Sequence, residues 1–149
     1  METSQVKNWA AAASLENVDL ICAEMTVWLE ERELYRELFA LEILAREALN
    51  NAVFHGNRSD PSKKVQAEIK HDAESVSIKV SDEGPGFNWR ECLKKEEVND
   101  NRENGRGLTL YQLYADKVEF NESGNEVILI RLVNSRKPSK SFQDIREGK

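Results

Sequence analysis

Glu47 and Asn51 stand four residues apart in the run Glu47-Ala48-Leu49-Asn50-Asn51, so on a helix both project from one side. A carboxylate there can serve a hydroxyl nucleophile, and an amide oxygen can serve magnesium. That ion prefers hard oxygen ligands and takes most of them from phosphates and water. Asp82-Glu83-Gly84-Pro85-Gly86 directly follows an alternating stretch. A strand end would hold the Asp82 carboxylate still, as acceptor for an exocyclic amine. Gly84 and Gly86, having no Cβ, would let a flat ring approach the backbone closely. Gly105-Arg106-Gly107 opens a further apolar stripe, and free N–H groups at a helix start beside bare glycines make an anion site. Arg106, with Lys94, Lys95 and Arg102 upstream, could supply local positive charge. Taken singly, each group has an ordinary reading: a solvated helix face, a Gly-Pro turn, a flexible loop into a helix. Their order is more specific than any one of them, because each falls in the structural context its chemistry needs.

The elements that must position these groups follow from hydrophobic periodicity. Val18, Ile21, Cys22, Met25, Trp28 and Leu29 recur at helical steps, with Ser14 or Asn17 as N-cap. A second stripe runs Leu34, Leu38, Leu41, Ala45, Ala48, Ala52 and ends at His55-Gly56-Asn57, with Gly56 expected as C-cap. Nothing between Glu30 and Leu34 breaks the chain, so one long helix and two shorter ones both fit. Val65, Ala67, Ile69 and then Val76, Ile78, Val80 alternate with polar residues around a four-residue turn, a hairpin with one apolar face. Asn88 to Asn104 is polar and long enough for a lid, in which Trp89 either packs on a ligand or, the favoured reading, anchors the loop. A helix through Leu108, Leu110, Tyr111, Leu113 and Tyr114 follows. Val118–Phe120 and Val127–Val133 form a second hairpin around Glu122-Ser123-Gly124-Asn125. Gln5 to Ala13 fits either a short strand or a disordered lead. These segments give one domain over 1–135 and a polar tail over 136–149.

A chain of 149 residues, 40% hydrophobic and 32% charged, suits one domain with its own core. Its net charge of −6 excludes any global attraction to nucleic acid or to an anionic membrane, so a polyanionic ligand would need local cations or magnesium. Cys22, on an apolar stripe, reads as a small core residue, and Cys92 as an exposed thiol; neither has metal-site spacing. No apolar stretch is long enough to cross a bilayer. Met1 to Trp9 lacks the signal-peptide pattern, so the cytoplasm is expected.

The motifs resemble the conserved boxes of the ATPase superfamily shared by gyrase, histidine kinases and the mismatch-repair ATPases. Within it, "REALNNAVFHGN", "VSDEGPGF" and "ENGRGLTLYQLYAD" are most similar to the bacterial anti-sigma-factor serine kinases. The resemblance covers about Ser14 to Val133. It implies the Bergerat ATP-binding fold, an α/β (α+β) two-layer sandwich with helices on one face of a mixed, mostly antiparallel sheet. It implies ATP and Mg2+ as ligands: Glu47 as general base, Asn51 on magnesium, and Asp82 on adenine. Gly84 and Gly86 would shape the adenine wall, and Gly105, Arg106 and Gly107 would lie along the phosphates. The implied activity is phosphorylation of Ser or Thr on an anti-anti-sigma protein, with a sigma factor as the other partner. A homodimer is among the assemblies common in the family, and no direct nucleic-acid contact is implied. One departure stands out: the family often carries Gly-Thr before its last strand, where this chain has Gly124-Asn125. The alternative reading is a nucleotide-responsive protein-binding regulator that transfers no phosphate. A histidine-kinase fragment fits less well, because His55 and His71 leave no room for a phosphoacceptor helix.

Overall fold

Alternation over Lys64–His71 and Ser75–Asp82 produces two antiparallel strands, β2 and β3, in which Val65, Ala67, Ile69, Val76, Ile78 and Val80 all turn inward and are buried. Lys117–Phe120 and Glu126–Leu132, called β4 and β5, continue the pattern. The register lines apolar residues up across four strands. Ile69 faces Ile78, Ile78 faces Leu129, and Leu129 faces Val118; one step along, Ala67, Val80, Val127 and Phe120 form a second belt. A one-residue slip anywhere would turn a belt to solvent, which is what fixes the register.

The computed structural model describes residues 5–92, 103–133 and 145–147. Gln5–Ala12 form an edge strand, β1, paired with β2. Ile145–Glu147, within the stretch read as a polar tail, form β6 and pair in parallel with β4. The sheet has six strands in the order β1-β2-β3-β5-β4-β6, mixed and mostly antiparallel as expected.

Among the described residues, α1 (Leu15–Glu31), α2 (Leu38–Asn50) and α3 (Glu103–Tyr114) cover its apolar face. Ser14 is the N-cap of α1, its hydroxyl accepting the Asn17 N–H at 3.2 Å. The inward stripes carry Val18, Ile21 and Leu29 from α1 and Leu41, Leu44 and Leu49 from α2, all essentially inaccessible to water. Truncating one such leucine to alanine costs about 2–5 kcal/mol through lost burial and the cavity left behind. Arg131 of β5 ties the layers together: it pairs with Glu37 just before α2, and its Nη1 donates to the Tyr114 carbonyl at the end of α3 at 2.6 Å.

The stripe from Trp28 to Leu38 is two helices. The Leu34 N–H reaches back to Leu29 O at 3.1 Å and the Glu33 N–H to Glu30 O at 2.9 Å, the bonding pattern of a left-handed helix stop. Glu33 occupies the left-handed position with φ 59°, where glycine is usual. Past Asn50 the helix widens into a π-helical segment, Asn51–Gly56. Its cap is Asn57, and Gly56 is not in a left-handed conformation; the expectation that Gly56 serves as C-cap is therefore corrected. The reason for a glycine there lies in the site.

Candidate functional site

Asp82 ends β3, a central strand, so its position is set from both sides. Its N–H donates to Asn125 O at 3.0 Å, and its Oδ1 accepts the Gly84 N–H at 2.8 Å. Its carboxylate fills the space in front of Gly56, where a Cβ would overlap it. Burial pushes the Asp82 carboxyl above the usual carboxylate range, against the opposing pull of the Gly84 N–H and of Lys63. The next residue is clamped by Asn57, which is fully buried. Asn57 Oδ1 accepts the Glu83 N–H at 2.9 Å, and its Nδ2 donates to Lys64 O at 3.0 Å. Glu83 completes the loop by accepting the Lys64 N–H at 2.8 Å.

The turn after Asp82 interlocks with the β4–β5 hairpin. Gly86 (φ 83°) and Gly124 (φ 85°) both sit in the left-handed region, and a Cβ on either would overlap a carbonyl of the opposite turn, Ser123 O or Phe87 O. Asn125 Nδ2 donates to Gly84 O at 3.2 Å, so the residue standing where the family often has Thr joins these two turns and reaches Asp82 through its main-chain carbonyl. Trp89 is buried, stacks on Phe120 at 5.2 Å and donates from Nε1 to Asn121 O at 3.1 Å. It anchors the loop root, as expected. The span 93–102, including Lys94, Lys95 and Arg102, lies outside the described residues.

Between α2, α3 and the sheet lies a cavity of about 480 Å³ whose wall includes Glu47, Asn51, Asp82, Gly86, Tyr111 and Phe120. Two stretches distant in sequence thus meet on one cleft. Gly84 is buried directly behind Asp82. Gly105 to Gly107 lie in the first turns of α3, whose next turn lends Leu108 and Tyr111 to the same cavity; the Arg106 side chain lies outside the described residues. By sequence, Tyr111 is part of an apolar stripe. Its phenol accepts the Asn51 Nδ2–H at 3.1 Å, and burial, with the nearby Glu47 charge adding to it, pushes its ionisation far above the usual phenol range despite the opposing hydrogen bond from Asn51. Cys92, expected as an exposed thiol, is half-buried in the cavity wall, because the helical turn begun by Trp89 rolls it inward.

The size suits a small organic ligand. Val80, Leu108, Phe120 and Val127 give apolar walls, and Asp82 sets a hydrogen-bond acceptor beside them. Among the described residues no cluster of three or more His, Cys, Asp or Glu is placed to hold a metal. A metal here would take the Asn51 amide oxygen and find its other ligands on phosphates and water, which suits magnesium.

The family model for the histidine kinase-like ATPase domain matches residues 11–131. This chain belongs to the histidine kinase-like ATPase family. Its relatives include the anti-sigma F factor of Anoxybacillus flavithermus, 26% identical over 109 residues that span 71% of this chain and 75% of the relative. The anti-sigma F factor of Clostridium perfringens is 28% identical over 105 residues, 66% of this chain and 75% of the relative. That of Oceanobacillus iheyensis is 28% identical over 108 residues, 68% and 73% of the two chains. Membership in an ATPase family implies ATP as a ligand, and the two-layer sandwich agrees with the match. Among the described residues, no helix of this ATPase domain is long and apolar enough to cross a membrane.

The two glycines beside Asp82 have no room for a side chain. Gly56→Ala would push the Asp82 carboxylate off the Gly84 N–H; nucleotide affinity should fall at least about tenfold, and the buried N–H left without an acceptor should cost about 1–3 kcal/mol of fold stability. Gly84→Ala would meet the main-chain carbonyl of Gly56, which cannot swing aside, and should cost about 1–3 kcal/mol of fold stability. Calorimetric titration and thermal melts of the two variants check both outcomes.

Proposed function

We propose that this protein is a cytoplasmic ATP-dependent serine/threonine kinase and anti-sigma factor that works by partner switching. The observation carrying this reading is that Glu47 and Asn51, one helical turn apart, face the same cavity as Asp82. The name of the relatives, anti-sigma F factor, supports the sigma-factor side of it.

In this reading Asp82 accepts the adenine amine, and the main chain at Gly84 and Gly86 lies along the ring. Glu47 takes the proton of a Ser or Thr hydroxyl on the anti-anti-sigma protein as its oxygen attacks the γ-phosphorus; the bond to the β-phosphate oxygen breaks and ADP leaves. Asn51 would hold Mg2+, which would neutralise charge on the phosphates. The described charged groups on the cavity wall are Glu47, Asp82 and Glu126, with His55 the sole basic type among them. An acidic wall repels a triphosphate, so the reading assigns Arg106, backed by Lys94, Lys95 or Arg102, to counter that charge, with the Gly105 and Gly107 backbone along the phosphates.

A second reading, nucleotide-responsive binding without phosphate transfer, draws on Asn125. Its side chain is committed to Gly84, Asn121 and Ser123, and so offers the Asp82 carboxylate no hydroxyl of the kind Thr would supply. Incubation with labelled Mg-ATP and the anti-anti-sigma protein of the same genome separates the two. Phosphoserine or phosphothreonine on the partner is the expected product; nucleotide-dependent complex formation with no phosphoprotein would favour the regulator.

A further inference from the structure

We infer that Tyr111 is a positioning residue for Asn51, holding the side-chain amide so that its oxygen faces the cavity. This inference rests on the reading of Asn51 as the magnesium ligand. A side-chain amide has two ends nearly alike in shape and opposite in chemistry: the oxygen attracts a cation, and the NH2 repels it. A phenol can donate to the oxygen or accept from the NH2, and here it accepts. Tyr111 lies 60 residues from Asn51, on the helix that packs beside α2, and its phenol oxygen takes the Asn51 Nδ2–H at 3.1 Å. With the NH2 engaged on the α3 side, Oδ1 is the end left for the cavity that both residues line. The phenol itself is fixed, since Tyr111 is 3% exposed and its ring packs against Phe120 at 6.4 Å. A phenylalanine would fill nearly the same volume and lack only the hydroxyl.

The consequence is specific to the metal-bound state. In the free protein, an amide released from Tyr111 can turn its NH2 to water in the cavity. With a cation on Oδ1 that rotation is closed, and the NH2 is left against an apolar ring. The loss therefore falls on metal binding, at about fivefold for one neutral hydrogen bond.

Calorimetric titration with ADP, in Mg2+ and in EDTA, tests this on the wild type, Tyr111→Phe, Asn51→Ala and the double variant. The expected result is a ratio of Mg2+ to EDTA affinity that drops about fivefold in Tyr111→Phe with the EDTA affinity unchanged, and no further drop when Tyr111→Phe is added to Asn51→Ala. A wild-type ratio in Tyr111→Phe, beside a lost ratio in Asn51→Ala, would overturn the inference and leave the metal assignment standing. Equal losses in Mg2+ and EDTA would overturn it too, reducing Tyr111 to a core residue. A ratio that survives Asn51→Ala would remove the magnesium assignment itself, and the inference with it.

Discussion

Asp82→Asn should abolish nucleotide binding without weakening the fold. An asparagine can keep its oxygen on the Gly84 N–H, but the other end becomes an NH2 where an adenine amine needs an acceptor. Donor then faces donor in a half-buried site, and affinity should fall about 100-fold or more. Stability should move the other way. Burial raises the carboxyl's pKa in the folded protein, so the folded state holds that proton more tightly than the unfolded chain does. The group therefore favours folding at low pH, and this contribution is lost as pH rises through its folded value. At neutral pH the ionised carboxylate is a burden that asparagine removes. The free variant should melt no lower than the wild type at pH 7, and any advantage should shrink toward pH 4. Melting curves across that range beside an ATP titration read both halves; a variant that loses binding together with several degrees of melting temperature would contradict the account.

Glu47→Gln should leave ATP binding within about threefold of wild type and lower phosphate transfer to the protein substrate by about 10²–10⁴, the usual contribution of a positioned general base. Glutamine preserves shape and hydrogen-bonding reach and lacks only the capacity to take the proton. Single-turnover transfer from labelled ATP measures the chemical step apart from partner release. Undiminished transfer would strip Glu47 of its role as base while leaving the cavity's assignment to nucleotide intact.

Much of this was legible because it was written at short range. Alternation within Val65–Ile69 and Val76–Val80 is local, and so are the turns between paired strands. Glu47 and Asn51 share a helix face by their spacing alone, and Asp82 follows its strand directly. What escaped has no signature in residue type, and most of it is decided by partners far off in the chain. The helix stop at Glu33 carries no glycine, so it has no signature; main-chain bonds back to Leu29 and Glu30 enforce it. Asn57 looks like any polar residue after a helix, yet its amide spans to Glu83, 26 residues on. Tyr111 fits an apolar stripe on periodicity, and only the packing of α3 beside α2 makes its hydroxyl matter. Gly56 was given the commonest reason for a glycine near a helix end, when the actual reason is the carboxylate opposite it.

That last pairing limits how such a protein can evolve. Positions 56 and 82 are sterically coupled: any larger residue at the first evicts the carboxylate at the second, and aspartate is already the shortest carboxylate that genes encode. No compensating substitution at 82 can restore the lost room. A lineage that abandoned the glycine would have to reroute the main chain at the end of α2, or lose the carboxylate's place and, on the proposed reading, the purine with it.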